Sequence, residues 1–102
     1  MTHPYRVDPH PGLEADFADI FDLLSPLIGP AMAKARIDEI LDDLALLANV
    51  PKKGSLRPGS LRAIPVGRNA VATFRVDDAT RSVLVLSVTW GGADWSRRTR
   101  QR

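Results

Sequence analysis

The sequence predicts an α+β domain of β-α-α-β-β-β order, with a two-helix hairpin packed on one face of an antiparallel sheet. Apolar residues recur at helical spacing within 11–24 and again within 30–48. From Leu61 to Trp90 they instead follow a strand pattern that only two short turns interrupt. A chain of 102 residues can bury one core, so we expect a single domain over 1–95, followed by a basic tail over 96–102.

The first half of the chain predicts one strand and two helices. Residues 3–8 are expected to form an edge strand, because the prolines that follow donate no hydrogen bonds to a ladder. The first helix is expected over 11–24, with a break at 25–30, because Pro26 disfavours helical geometry at Ser25. Pro30 is suited to open the second helix, over 30–48. The connection between the helices is short, so they are expected to form an antiparallel hairpin.

Acidic residues accompany the apolar stripes of both helices. On the first helix they fill other positions, several in the early turns that the helix dipole favours: Glu14, Asp16, Asp19 and Asp22. On the second they lie on the face opposite the apolar stripe: Asp38, Glu39, Asp42 and Asp43. A metal site is an alternative for these clusters, but a solvated outer face is the favoured interpretation.

The second half predicts a loop and three strands. Residues 49–59 are expected to form one exposed loop, followed by strands over 60–66, 70–76 and 81–90. The turns between the strands are short and force antiparallel pairing. The last strand is expected to be central, because residues 83–86 are apolar on both sides.

Alternation assigns the faces of the last two strands. On the 70–76 strand one face carries Ala70, Ala72, Phe74 and Val76, and the other carries Val71, Thr73 and Arg75. On the last strand one face is expected to carry Leu84, Leu86, Val88 and Trp90, and the other Val83, Val85, Ser87 and Thr89. The helices are expected to cover one face of the sheet and leave the other open. Gly91-Gly92 ends the last strand, and the basic segment after it is typical of a mobile tail.

Charge divides the chain into two unequal halves. Residues 1–50 carry three basic and nine acidic side chains, a net charge of −6, whereas residues 51–102 carry eleven basic and three acidic ones, a net charge of +8. Eleven of the fourteen basic residues are arginines, whose planar guanidinium suits phosphate and carboxylate groups. The sheet half is therefore a candidate surface for nucleic acid or an acidic partner. The alternative is a solvated basic face that the acidic helices balance within the molecule.

The residue inventory excludes several classes of site. Without cysteine there is neither a disulfide framework nor a thiolate zinc site. The two histidines, His3 and His10, lie in a proline-rich N-terminus, where they are more often incidental than general bases. We therefore expect no cofactor and no metal. No apolar run approaches the length of a membrane span, and the N-terminus does not have the pattern of a signal peptide, so the expected location is the cytoplasm.

The basic residues of the sheet half form the one candidate for anion chemistry. Five arginines are expected to edge the sheet beside a Lys52-Lys53 loop: Arg57, Arg62, Arg68, Arg75 and Arg81. Such an array can bind phosphates and stabilise a pentavalent phosphate without a metal. Cleavage also needs a proton donor and acceptor, and the sequence shows no obvious one.

Several weak motifs follow one another in a specific order over residues 5–95. An acidic helical hairpin precedes the segments NVPKKG, LRAIPVG, TFRVDD, VLVLSV and GGADW. In this order the chain resembles the RelE/ParE superfamily of toxins from type II toxin–antitoxin systems of the plasmid-stabilisation type. The resemblance implies a β-α-α-β-β-β toxin whose groove takes the C-terminal segment of a small antitoxin. It also implies that the complex regulates its own operon, so that operator DNA is bound only through the antitoxin complex.

The superfamily that the chain resembles has two activities. RelE-like members cleave mRNA on the ribosome, and ParE-like members inhibit DNA gyrase. Lys52, Lys53 and Arg62 match basic positions of the RelE-like site and are the weak catalytic candidates. Val71-Ala72-Thr73 departs from the RelE-like arginine before the strand's aromatic, and Gly91–Trp95 replaces a C-terminal tyrosine or histidine; tryptophan cannot act as an acid or a base.

These departures favour a ParE-like toxin that is not a nuclease. An mRNA endonuclease and a non-toxic binding module are the alternatives. The candidates for contact with the antitoxin, which is expected to bind through an acidic segment, or with the target are Arg57, Arg62, Arg68, Arg75, Arg81, Trp90 and Trp95. Arg62 and Arg75 have the alternative role of covering strand faces with their stems, and Trp90 that of a core residue. Trp95 is equally suited to cap the core or to touch a partner.

Overall fold

The computed structural model describes residues 4–91, 99 and 102. Its helices and strands, in chain order, are β1 (Arg6–Pro9), α1 (Leu13–Ile28), α2 (Pro30–Ala45), β2 (Ser55–Arg57), β3 (Leu61–Val66), β4 (Ala70–Asp77) and β5 (Ser82–Trp90). Short 3₁₀ turns follow α2 at Leu46–Ala48 and precede β3 at Pro58–Ser60. The predicted α+β class and the predicted order of the main elements are confirmed.

The five strands form one mixed sheet in the order β1-β5-β4-β3-β2. β5, β4, β3 and β2 pair antiparallel, as the short turns require, whereas β1 pairs parallel with β5. The sheet is therefore mixed, whereas the sequence predicted a wholly antiparallel sheet. β1 can pair parallel with β5 because the helical hairpin and the other strands connect them. β1 is an edge strand and β5 an interior one, and both positions were predicted.

The two helices pack on one face of this sheet and form a single core with it. α1 lies against β5, and α2 lies against β3. The core is contributed by both layers and includes Leu24, Ile40, Leu44, Phe74, Val85 and Val88. Across the described part of the chain, no helix has the length and apolar character that crossing a membrane requires.

The first helix is longer than the sequence predicts. α1 continues through Pro26 to Ile28, and the predicted break at 25–30 shrinks to Gly29, which has a φ of 87°. Pro26 removes one helical hydrogen bond and crowds the carbonyl of Asp22, but the turn that contains it still closes. The Gly29 N–H does close that turn, by donating to the Ser25 carbonyl at 2.9 Å.

The predicted loop at 49–59 contains an additional strand. β2 pairs with β3, with Ser55 opposite Ala63 and Leu56 opposite Arg62. All three residues of β2 are exposed. A three-residue exposed strand has no room for an alternating pattern, so the periodicity of the sequence does not reveal it.

The predicted faces of β5 are wrong because the strand contains a bulge. Thr73 pairs with Ser87 and Phe74 with Val85, so Leu86 falls out of register. One extra residue reverses the alternation from that point on. Consequently Val83 and Val85 join the core together with Val88, and Trp90 packs against it, whereas the alternation placed Val83 and Val85 on the face opposite Val88 and Trp90. The faces predicted for β4 are consistent with the core.

Gly67 allows the turn between β3 and β4 to approach α2. Its φ is 58°, a conformation that favours glycine, and a Cβ there would lie 2.8 Å from Ile40 Cγ1. The Gly67 N–H donates to Asp43 Oδ2 at 2.7 Å. Asp43 therefore holds this turn, whereas the sequence suggested only that it belongs to a solvated helix face.

We expect Gly67→Ala to lower the free energy of unfolding by about 1–3 kcal/mol. The added methyl group is strained at positive φ and also meets Ile40. Gly59→Ala is the matched control, because Gly59 has a φ of 76° but no atom of the described residues within 4 Å of the place that a Cβ would take. Urea unfolding measures both variants. Equal losses at the two positions would show that the contact with Ile40 carries no cost.

Candidate functional site

A polar cluster lies at the end of the sheet where β5 begins. Asp78, in the turn between β4 and β5, accepts a 2.6 Å hydrogen bond from the Tyr5 hydroxyl and forms a 2.8 Å ion pair with Lys52 Nζ. The Arg81 guanidinium lies over the Tyr5 ring, 4.6 Å from its centre. Arg62 Nη1 donates to the Lys52 carbonyl at 3.0 Å. We call these five residues the Asp78 cluster.

Strand pairing and a local turn bring the Asp78 cluster together. The parallel register sets Arg6 opposite Ser82, which places Tyr5 beside the beginning of β5. Asp77 Oδ1 accepts the Ala79 N–H at 2.9 Å and so forms the turn that presents Asp78. Tyr5 and Asp78 are not predicted from the sequence as site residues, because only the pairing of β1 with β5 brings together residues so far apart in the chain.

Three groups of the cluster, Tyr5, Lys52 and Asp78, are held in their usual forms at neutral pH. The hydrogen bond to Asp78 raises the pKa of Lys52 and also that of Tyr5. Hydrogen bonds from Lys52 and then from Tyr5 lower the pKa of Asp78. Lys52 is thus charged, Asp78 ionised and Tyr5 protonated, and their pKa values move away from the neutral range in which acid–base catalysis is most efficient.

An open cavity adjoins the cluster. Its volume is about 610 Å³, and it is lined by Tyr5, Val50, Pro51, Lys52 and Lys53. Val50 and Pro51 give it an apolar wall, and the two lysines give it positive charge. The cavity therefore suits a ligand that has both an apolar group and a negative charge.

The predicted arginines do not converge on one site. Arg68 lies in the β3–β4 turn and forms hydrogen bonds of 3.0 and 3.1 Å with both Glu39 carboxylate oxygens, which lower the pKa of Glu39. Arg75 is exposed on β4 and lines a separate cavity of about 550 Å³ together with Asp8 and Asp78. Arg57 lies on the edge strand β2. Of the five, Arg62 and Arg81 belong to the Asp78 cluster.

Of the two candidate tryptophans, Trp90 lies within the described residues. Trp90 is half-buried, packs against the core, and lines a small groove beside α1. The candidate Trp95 lies outside the described residues, as do Gly92, Ala93 and Asp94.

The face of the sheet opposite the helices is partly covered by the chain itself. The hydroxyl groups of Thr73, Ser87 and Thr99 form a closed set of hydrogen bonds of 2.6, 2.8 and 3.0 Å. Thr99 is only 6% exposed. Thr99 therefore contacts the sheet, and the next contact shows that Arg102 is bonded to α1.

A buried ion pair joins Arg102 to the first helix. Asp16 is fully buried, and Arg102 Nη1 and Nη2 donate to its two carboxylate oxygens at 2.6 and 2.8 Å. Asp16 also accepts the Val88 N–H at 3.0 Å. The sequence carries a signal for this burial, because Asp16 lies at helical spacing between the core residues Leu13 and Ile20.

Several solved structures share this fold, among them the following three. A chain of the chromosomal ParDE toxin–antitoxin system from P. aeruginosa is 24% identical, with a TM-score of 0.74, over 88% of this chain and 99% of that one. A chain of the RelBE2 toxin–antitoxin complex from Mycobacterium tuberculosis is 19% identical, with a TM-score of 0.56, over 85% and 98% of the two chains. A mutant of the E. coli toxin RelE in the free state is 15% identical, with a TM-score of 0.65, over 96% and 97%.

The chain therefore shares its fold with these three structures. This confirms, at the level of the fold, the RelE/ParE resemblance of the sequence. No protein-family model matches the sequence, and no curated protein matches it.

Ultraviolet titration can test the hydrogen bond between Tyr5 and Asp78 directly, because Tyr5 is the only tyrosine of the chain. We expect Asp78→Asn to lower the Tyr5 midpoint, because it removes the ionised acceptor that favours the protonated phenol. Asp42→Asn, on the exposed side of α2, is the matched loss of one negative charge and should leave the midpoint in place. An unchanged midpoint in the Asp78 variant would contradict the contact.

The pair formed by Lys52 and Asp78 should also make stability depend on pH. Its contribution is complete above 3.8, the ordinary pKa of aspartate, and is lost as the pH falls through the lowered pKa of Asp78. It is complete below 10.5 and is lost as the pH rises through the raised pKa of Lys52. We therefore expect urea unfolding to give a lower free energy of unfolding for Lys52→Gln than for wild type at neutral pH. The difference should be smaller at both extremes of pH. A difference that does not change with pH would contradict the pair.

Proposed function

We propose that the chain is the toxin of a type II toxin–antitoxin module and is neutralised by a cognate antitoxin. The observation that carries the proposal is the fold shared over nearly the whole length with a chain of the ParDE system. The order of the sequence motifs also supports the proposal. These motifs span residues 5–95, nearly the same part of the chain that the shared fold covers. Both gyrase and the ribosome, the targets that the resemblance suggests, are cytoplasmic.

The toxin acts by binding and inhibiting an essential target such as DNA gyrase. This mode is supported by the Asp78 cluster, in which Lys52 is engaged by Asp78 and Arg62 by a backbone carbonyl. A phosphodiester-cleaving site needs a group that can exchange a proton near neutral pH. The cluster instead fastens the loop at residues 50–53 to the β4–β5 turn.

The antitoxin is expected to carry an acidic segment. The net charge of +8 over residues 51–102 attracts such a segment and speeds its association, with an effect that salt weakens. The antitoxin complex, rather than the toxin alone, then binds the operator DNA.

Two measurements on the wild-type chain test the inhibitor proposal. Expression without the antitoxin should arrest growth, and the purified chain should inhibit supercoiling by purified gyrase. Arrest with unaffected supercoiling would exclude gyrase as the target, whereas normal growth would favour a non-toxic binding module.

The second candidate function is an mRNA endonuclease. It is favoured by one observation, the proximity of Arg62 to the loop that carries Lys52 and Lys53. Primer extension on cellular mRNA after induction should then show new codon-specific ends, which Lys53→Ala should remove. Lys34→Ala is the matched control, because Lys34 is an exposed lysine on α2, far from the cluster in sequence. Intact transcripts in cells that express the wild type would exclude this function.

A further inference from the structure

The open cavity beside the Asp78 cluster has one wall of apolar side chains. Val50 is 46% exposed, and Leu46, which precedes it by one helical turn, is 54% exposed. The Val50 N–H donates to the Leu46 carbonyl at 3.2 Å, so their side chains are neighbours. Pro51 continues the wall inside the cavity. An exposed apolar surface that polar residues surround is typical of an interaction site.

A lysine with an available charge lies beside this wall. Lys52 Nζ is paired with Asp78, whereas Lys53 Nζ makes no ion pair or hydrogen bond within the described part of the chain. The Lys53 N–H donates to the Val50 carbonyl at 3.2 Å, so a tight turn keeps Lys53 close to Val50. The cavity therefore offers an apolar surface and a positive charge side by side.

The surrounding hydrogen bonds hold this stretch of chain in place. Arg62 Nη1 donates to the Lys52 carbonyl at 3.0 Å, which ties the loop to β3. The Tyr5 N–H donates to the Ala48 carbonyl at 2.7 Å, which ties the preceding turn to the start of β1. A site whose shape is set before a ligand arrives loses little conformational entropy on binding.

We propose that this cavity docks a segment of the antitoxin in which a bulky apolar residue lies close to an acidic one. The apolar side chain packs on Val50 and Pro51, and the carboxylate pairs with Lys53. The cavity volume of about 610 Å³ falls within the range of about 300–1,000 Å³ that is usual for ligand sites. The assignment of this segment to the antitoxin rests on the proposed function.

The cavity favours a peptide over a nucleic acid. A nucleic acid gains its affinity by pairing several phosphates with several cations, but Lys52 and Arg62 are already engaged by other groups. Bases stack on aromatic faces, and the Arg81 guanidinium already occupies one face of the Tyr5 ring. The apolar wall matches a partner's side chain, whereas a phosphate backbone gains nothing from it.

The test is an NMR titration of the folded chain with the synthetic peptide Ac-Leu-Thr-Glu-Leu-Thr-Glu-NH₂. We expect amide shifts centred on Val50 and Lys53. Lys53→Gln should bind the peptide about three- to fivefold more weakly than wild type, because one exposed charge pair is lost. Val50→Thr should bind it about threefold more weakly, because a hydroxyl replaces an apolar methyl group.

A second peptide, with glutamine in place of glutamate, separates the charge from the apolar contact. It should bind wild type about three- to fivefold more weakly than the first peptide does. Lys53→Gln should bind the two peptides equally, because the pairing partner is then absent from both complexes. A peptide with serine in place of leucine should lose affinity for wild type and for Lys53→Gln alike.

Lys34→Gln is the matched control, because Lys34 is an exposed lysine on α2 and should not affect peptide binding. Equal affinity of all variants, shifts that map away from Val50 and Lys53, or absence of binding would overturn the proposal. Tighter binding of a six-nucleotide RNA than of the peptide at these residues would overturn it in favour of a nucleic-acid site. Growth arrest by the wild type without peptide binding would reject the docking site and leave the proposed toxin function in place.

Discussion

The buried carboxylate of Asp16 is the interaction on which the arrangement of helix, sheet and chain end depends. A charge in a fold interior is costly unless it is paired and hydrogen-bonded. Asp16 obtains both from partners far away in sequence, the Val88 N–H and the guanidinium of Arg102. Removing one partner of a buried pair typically costs about 3–5 kcal/mol. One side chain thus fixes where α1 begins on β5 and where Arg102 lies.

The opposite end of β5, where the strand begins, carries the exposed polar groups of the Asp78 cluster. Tyr5, Lys52 and Asp78 are solvent-accessible, so their contacts hold a loop but contribute little individually. Surface contacts of this kind can be exchanged for contacts with a partner at little cost. Asp16, by contrast, is fully buried and is bonded to Val88 on the same strand.

The sequence predicts elements that depend on local patterns and misses those that depend on pairing. The two helices, the three long strands and the edge position of β1 follow from spacing, proline and turn residues. The bulge at Leu86 does not, because an extra residue within residues 83–86, which are all apolar, leaves no mark on the alternation. The candidate site divides in the same way. Lys52, Arg62 and Arg81 are basic and stand out, whereas Tyr5 and Asp78 acquire a role only through the parallel pairing of β1 with β5.

The position of β5 in the sheet also constrains when the protein can fold. It is the last strand of the sheet to be synthesised, yet β1 and β4 both pair with it and α1 packs on it. While the chain is being made, the helical hairpin has its apolar stripe but not the strand that covers it. Contacts between residues this far apart in sequence form slowly and leave apolar surface exposed in the meantime. The apolar stripe of the hairpin therefore stays uncovered until β5 has been made, and the complete sheet forms only after translation has passed Trp90.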